Sequence, residues 1–76
     1  MTHDEDVDAT GLLCPLPVLK ARKRLMSMAE GAVLRLAATD PAARIDLPHF
    51  CAENGHALIG TAEAGGATHY FIRKGG

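Results

Sequence analysis

Hydrophobic and polar positions along the first half of the chain change from a strand period to a helix period. Residues 6–10 alternate weakly and stop at Gly11, which predicts a short first strand. From Pro15 to about Ala29, apolar residues recur at helical spacing, and Gly31 then ends the helix. The positions predicted to face the core are Val18, Ala21, Leu25 and Met28.

The second half predicts one more helix and three more strands. Residues 32–38 form a mostly apolar run of strand length, as in a covered central strand. A helix is expected from near Leu47 or Pro48 to Asn54-Gly55, burying Phe50 and Cys51, whereas residues 42–46 fit either a loop or a first helical turn interrupted by Pro48. Residues 57–63 and 68–73 predict two strands joined by a hairpin at 64–67.

The predicted order is βαβαββ, which indicates an α+β fold. Two helices and four strands in so short a chain suit a two-layer sandwich, with a mixed four-stranded sheet and both helices on one face. Right-handed crossovers make the first two strands parallel. The chain has 76 residues, enough for one domain spanning 1–76, in which residues 1–5 and 74–76 are expected to be flexible.

Net charge and terminal composition argue against two classes of partner. The net charge is −1, whereas small nucleic-acid binders carry a positive excess, so strong direct binding of nucleic acid is not expected. The acidic N-terminus lacks a signal-peptide pattern, and no apolar run approaches the ~20 residues that span a bilayer. We therefore expect a cytoplasmic protein without membrane contact, monomeric when free.

The two cysteines, Cys14 and Cys51, need separate explanations. A structural disulfide is not expected in a reducing compartment, and the Cys-x-x-Cys pattern of a thiol oxidoreductase is absent. His49, Cys51 and His56 lack a recognised zinc spacing, so no metal and no separate cofactor are predicted.

The segment around Cys14 carries the candidate chemistry. We interpret Cys14 as the N-cap of the first helix, with Pro15 and Pro17 in the first turn, where their missing N–H groups cost nothing. A Cys14 thiolate could then accept the N–H of Leu16 at the positive helix end, which predicts a Cys14 pKa below that of a free thiol. The alternative is a buried cysteine before a proline that merely starts the helix. The double proline and the preceding Gly11 favour the functional interpretation.

A reactive thiol without a sequence-evident processing apparatus suits a carrier that other proteins load and unload. From Asp8 to Gly76 the chain resembles the TusA (SirA-like) family of sulfur carriers, and most of all its TusA branch. The features that carry the resemblance are Asp8…Gly11…Cys14-Pro15-x-Pro17, Ala21-Arg22-Lys23, Thr39-Asp40-Pro41-Ala42, Asp46-Leu47-Pro48-His49-Phe50-Cys51, Gly55-His56-x-Leu58 and Arg73-Lys74-Gly75-Gly76.

The resemblance implies a fold and a role. The sheet order would be 1-2-4-3, with only the last strand antiparallel. Cys14 would accept a persulfide sulfur from a cysteine desulfurase and relay it to an acceptor protein, most often for 2-thiouridine in tRNA. Related carriers supply molybdenum-cofactor synthesis or sulfur oxidation. The motif residues carried over are Asp8, Gly11, Pro15, Leu16 and Pro17. Leu13 and Leu16 depart from the charged flanks common in the family.

With that topology, Cys14, Asp40 and the hairpin at 64–68 should lie at one edge of the sheet, and Arg73 and Lys74 at the opposite edge. Candidate docking residues for partner proteins are Lys20, Arg22, Lys23, Arg24 and Asp40. Two other functions stay open on the sequence alone. One is a regulatory or nucleic-acid-associated module that uses the basic face of the first helix, and the other is a redox protein that cycles a Cys14–Cys51 disulfide.

Overall fold

The order of the elements is the one the sequence predicts. The computed structural model describes residues 2–76. Its elements are β1 (Glu5–Ala9), α1 (Leu16–Met26), β2 (Val33–Ala38), α2 (Ala43–Asn54), β3 (Ala57–Ala64) and β4 (Ala67–Arg73). The βαβαββ prediction is confirmed.

The four strands form one mixed sheet in the order β1-β2-β4-β3. β1 and β2 are parallel, with Val7 opposite Leu36. β4 is antiparallel to both of its neighbours, β2 and β3, so it alone runs against the other three strands. The sheet order and direction implied by the family resemblance are confirmed.

The core lies between the inner face of the sheet and both helices. The largest side chains that are fully buried there are Leu25 of α1, Leu34 and Leu36 of β2, Leu47 of α2 and Ile72 of β4. Because residues two apart in a strand share a face, Leu34 and Leu36 point to the helices while Arg35 between them faces away. Both helices therefore cover one face of the sheet, as predicted.

The predicted core positions of α1 are confirmed, but the helix boundaries differ. Ala21, Leu25 and Met28 are buried, and Val18 packs against the core. α1 ends at Met26, earlier than expected, because the N–H groups of Ser27 and Met28 bond to carbonyls only three residues back, those of Arg24 and Leu25. That tightened last turn closes the helix before Ala29.

The predicted start of α2, near Leu47 or Pro48, is wrong. The helix begins at Ala43 and contains Pro48 in its interior. The N–H groups of Ala43, Arg44 and Ile45 bond to carbonyls three residues back, so the first turn is closed well before the proline. Proline then removes a single donor from a turn that is already formed. Of the two alternatives left open for residues 42–46, the helical turn is therefore the one observed, and Asp46 lies in it.

The C-terminal tail makes more contacts than the sequence predicts. The N–H of Lys74 donates to the carbonyl of Ala32 at 2.8 Å, and the N–H of Gly75 donates to Nδ1 of His56 at 3.0 Å. A Cβ atom at Gly75 would collide with the carbonyl oxygen of Gly55, so the two backbones approach each other closely. Burial lowers the pKa of His56, and the charge of Lys74 lowers it further, which favours the neutral ring that can accept this bond.

Candidate functional site

The loop between β1 and α1 is held in place before it reaches Cys14. Oδ1 of Asp8 accepts the N–H and the hydroxyl of Thr10, at 2.9 and 2.6 Å. These hydrogen bonds lower the pKa of Asp8. Gly11 has φ of +77°, a conformation that disfavours residues with a Cβ, and its N–H donates to the hydroxyl of Thr39 at 2.8 Å. The motif residues Asp8 and Gly11 therefore shape and anchor the loop.

The backbone of Cys14 is fixed to the end of β2 by Asp40. Oδ2 of Asp40 accepts the N–H of Cys14 at 2.6 Å, and Oδ1 accepts the N–H of Ala42 at 3.0 Å. One carboxylate thus connects the cysteine loop to the segment that opens α2. Cys14 and Asp40 lie together as the topology predicts.

The Cys14 side chain points to Asp46, which belongs to a stretch that carries the family resemblance but to which the sequence assigns no role at the site. Its thiol donates to Oδ2 of Asp46, with Sγ and Oδ2 at 3.0 Å. This hydrogen bond is the main reason that the pKa of Cys14 is raised above that of an ordinary thiol, followed by desolvation and by the charges of Asp46 and Asp40. The predicted lowering of the Cys14 pKa is wrong, because a carboxylate acceptor stabilises the protonated thiol and repels the thiolate.

The predicted cap geometry is also wrong by one residue. Pro15 is the N-cap of α1, the helix begins at Leu16, and Pro17 is its second residue. The N–H of Leu16 donates to the carbonyl of Leu13 at 2.8 Å and not to the Cys14 thiol. Cys14 therefore precedes the helix by two positions, joined to Pro15 by a cis peptide bond, and it loses the cap contact that would have favoured the thiolate.

The contact of Asp46 with Cys14 could have been predicted only with the correct start of α2. Pro48 suggested a late helix start, and a late start leaves Asp46 in a loop of unknown direction. A helix from Ala43 places Asp46 in the first turn, near the end of β2 where Cys14 is held. The available signal was Asp40-Pro41, a helix-opening pair six residues before Asp46.

Exposed apolar residues lie on both segments that meet at the thiol, the one that carries Cys14 and the one that carries Asp46. Cys14 is exposed, and Leu13 and Leu16 beside it are 70% and 46% exposed. Ile45, the neighbour of Asp46, is 75% exposed. We call Leu13, Leu16 and Ile45 the apolar rim. Isolated exposed apolar residues are common, but three on the two segments that meet at one exposed thiol suit a contact with another protein.

The basic residues of α1 divide into two groups. Lys20, Lys23 and Arg24 line one groove beside β1, whereas Arg22 lies at a different groove next to Phe50 and Lys74. Nζ of Lys20 donates to the carbonyl of Asp8 at 3.3 Å, and Arg24 pairs with Glu5 at 3.1 Å. Two of the candidate docking residues thus also attach α1 to β1.

The remaining sequence candidates lie away from Cys14. Cys51 is 2% exposed and packs in the core, as predicted. Arg73 pairs in register with Val33, at the opposite end of β2 from Asp40, as the topology predicts. The hairpin at 64–67 lies at the other end of β2, where Thr68 pairs with Ala38. Across residues 2–76, no three His, Cys, Asp or Glu side chains are grouped as metal ligands, and no helix is long and apolar enough to cross a membrane.

Comparisons with known proteins show which family the chain is similar to. Residues 5–74 match the family described as Sulfurtransferase TusA. Among curated proteins, the chain is 47% identical to a sulfur carrier protein TusA of Pseudomonas entomophila, covering 97% of this chain and 92% of that protein. It is 44% identical to a protein of the same name from Allochromatium vinosum, covering 93% of each.

A solved structure shows the same fold. The crystal structure of a SirA-like protein from Desulfitobacterium hafniense superposes with a TM-score of 0.82 at 25% identity, covering 96% of this chain and all of the other. The family match spans almost the whole chain, and the curated relatives match it over nearly their full length. The chain belongs to the TusA family.

Proposed function

We propose that this protein is a sulfur carrier that holds sulfane sulfur as a persulfide on Cys14 and passes it to an acceptor protein. The observation that carries the proposal is the exposed Cys14 thiol on a loop fixed by Thr39 and Asp40. The curated relatives named sulfur carrier protein TusA support the same role. A thiol that partners can reach, and that is anchored through its backbone, suits transfer between proteins.

The chemistry requires only the exchange of one sulfur atom. Cys14 Sγ attacks the terminal sulfur of a donor persulfide, a new S–S bond forms at Cys14, and the donor S–S bond breaks. The donor sulfur leaves with the electron pair and takes up the proton from Cys14. No net oxidation occurs, and no cofactor besides the covalently bound sulfur is needed.

The donor we propose is a cysteine desulfurase, and the acceptor is a downstream relay protein in the synthesis of tRNA 2-thiouridine. The family resemblance of the Cys14-Pro15-x-Pro17 motif supports this assignment. The apolar rim and the groove lined by Lys20, Lys23 and Arg24 offer a partner a mixed apolar and basic contact. A partner with an acidic, partly apolar recess would complement it.

The two other functions have less support. A Cys14–Cys51 disulfide would require Cys51 to leave the core, where it is 2% exposed. A nucleic-acid role would rest on the basic residues of α1, but Lys20 and Arg24 already bond to β1 and its flank, and the net charge is −1.

The test is the intact mass after incubation with a cysteine desulfurase and cysteine. We expect a gain of one sulfur atom, located on Cys14 by peptide mapping, and its loss when an acceptor thiol is added. An oxidised product that contains both cysteines, with no added sulfur, would instead support the redox function. Binding of RNA that disappears at moderate salt would support the nucleic-acid function.

A further inference from the structure

The contact between Cys14 and Asp46 has a consequence for the direction of sulfur transfer, and this inference rests on the proposed carrier function. Sγ of Cys14 lies 3.0 Å from Oδ2 of Asp46, within the range of a hydrogen bond from a thiol to a carboxylate. Asp46 is held in the first turn of α2, and Asp40 holds the backbone of Cys14. Both partners in the contact are therefore positioned by the fold.

We propose that Asp46 favours the empty state of Cys14 and thereby promotes release of sulfur to the acceptor. The empty thiol has a proton to donate to the Asp46 carboxylate. Loading removes that proton from Sγ and replaces it with a second sulfur atom, so this hydrogen bond is lost. A persulfide is a stronger acid than its parent thiol, and the negative charge it then carries is repelled by the nearby carboxylate.

In the loading reaction, Cys14–SH + R–S–S⁻ gives Cys14–S–S⁻ + R–SH, where R–S–S⁻ is the donor persulfide. The Sγ–H bond and the donor S–S bond break, while a new S–S bond and an R–S–H bond form. Asp46 stabilises the left side through a hydrogen bond and destabilises the right side through charge. It therefore lowers the loaded fraction at equilibrium and raises the tendency of loaded Cys14 to give up its sulfur.

The electrostatic surroundings of Cys14 support this role. The charged groups that act on Sγ are the carboxylates of Asp46 and Asp40, and both disfavour negative charge on sulfur. Lys20, the first basic residue along α1, donates to the carbonyl of Asp8 instead. A site built to retain an anionic persulfide would place a cation at Sγ, whereas this one places a carboxylate.

The experiment equilibrates the protein with glutathione persulfide in the presence of glutathione and measures the loaded fraction by intact mass. Asp46→Asn keeps the size of the side chain and removes its charge. We expect the ratio of loaded to empty protein to rise about fivefold, as for the loss of one unit charge a few ångströms away in water. Glu53→Gln removes a carboxylate from the same helix, where it pairs with His49, and should leave the ratio unchanged.

A second measurement does not involve persulfides. The rate of Cys14 alkylation against pH should inflect at a lower pH in Asp46→Asn than in the parent protein or in Glu53→Gln. Asp46→Ala should shift the inflection in the same direction, and circular dichroism would verify that each variant is folded.

The outcomes separate the two proposals. Equal loading of the parent and Asp46→Asn, or weaker loading of Asp46→Asn, would overturn the role of Asp46 and leave the carrier function standing. An unchanged alkylation profile would overturn it as well. Failure of both proteins to gain sulfur on Cys14 would overturn the carrier function itself, and the inference with it.

Discussion

Cys14 and Cys51 differ in almost every respect except the direction in which their pKa is shifted. Cys14 lies in an exposed loop, and the pKa of its thiol is raised mainly by the hydrogen bond to Asp46. Cys51 lies in the core, and burial raises its pKa to about 11. A shift in the same direction thus arises mainly from one carboxylate in the first case and from burial in the core in the second.

The difference lies in what can reverse the shift. The Asp46 carboxylate acts on Cys14 only while the thiol points toward it, and a docked partner or a bound sulfur can change that contact. Burial acts on Cys51 for as long as the protein is folded. A raised pKa therefore does not by itself mark a thiol as inert, because access to the sulfur and the origin of the shift decide its reactivity.

The sharpest test of this comparison substitutes each of the two cysteines separately. Cys14→Ser should abolish sulfur loading completely, because serine cannot form a persulfide. The variant should fold normally, since residue 14 is exposed and its N–H bond to Asp40 is made by the backbone. Cys51→Ala should load as the parent protein does. Intact mass after incubation with a cysteine desulfurase would show both results. Loss of loading in Cys51→Ala would mean that Cys51 takes part in the chemistry.

Alkylation should separate the two thiols by rate. At pH 8 we expect Cys14 to react with iodoacetamide at least about a hundredfold faster than Cys51, because a buried thiol reacts only when the structure opens around it. Peptide mapping at short times measures the two rates. In denaturant the difference should disappear. Comparable rates in the native protein would show that the α2 region around Cys51 opens readily.

The sequence predicted the features that depend on period and composition. The strands and α1 follow from alternation and helical spacing, and the burial of Leu25 and Cys51 follows from their place on an apolar face. The location of Cys14 beside Asp40 follows from the topology, because both come directly after parallel strands. These inferences need no knowledge of side-chain direction.

The details that set the chemistry of Cys14 could not be read in the same way. The helix start depends on which of several competing hydrogen bonds forms, and the N–H of Leu16 bonds to Leu13 instead of to the thiol. The Asp46 contact joins residues 32 positions apart and requires the correct start of α2. A one-residue shift at one helix and an early start at the other were enough to reverse the sign of the predicted pKa shift.

Substitution of the buried Cys51 should lower the free energy of unfolding, whereas substitution of the exposed Cys14 should not. Cys51→Ala should lower the free energy of unfolding by about 1 kcal/mol through the loss of core contacts. The pKa of Cys51 is about 11 in the folded state against an ordinary value of 9.0, so the neutral thiol stabilises the fold fully below pH 9.0, and this contribution is lost as the pH rises toward 11.

Urea unfolding at pH 7 and at several values between pH 9 and pH 11 would measure both effects. The parent protein should lose stability more steeply with rising pH than Cys51→Ala, and Cys14 contributes equally to both proteins. Identical slopes would show that the surroundings of Cys51 do not hold its thiol neutral.

The smallest expected effect concerns the basic residues of the α1 groove. Charge reversal at Lys20, Lys23 and Arg24 together would test the basic groove, but Lys20 and Arg24 also bond to Asp8 and Glu5.

Lys23→Glu is therefore the cleaner variant. As a control, Arg73→Glu at the opposite end of the sheet makes the same charge change on an exposed residue. We expect Lys23→Glu to slow loading by a cysteine desulfurase about two- to fivefold at low salt and to flatten its salt dependence, because surface charges steer association. Arg73→Glu should have a smaller effect. Equal slowing by both would indicate that net charge, and not the groove beside β1, governs the encounter.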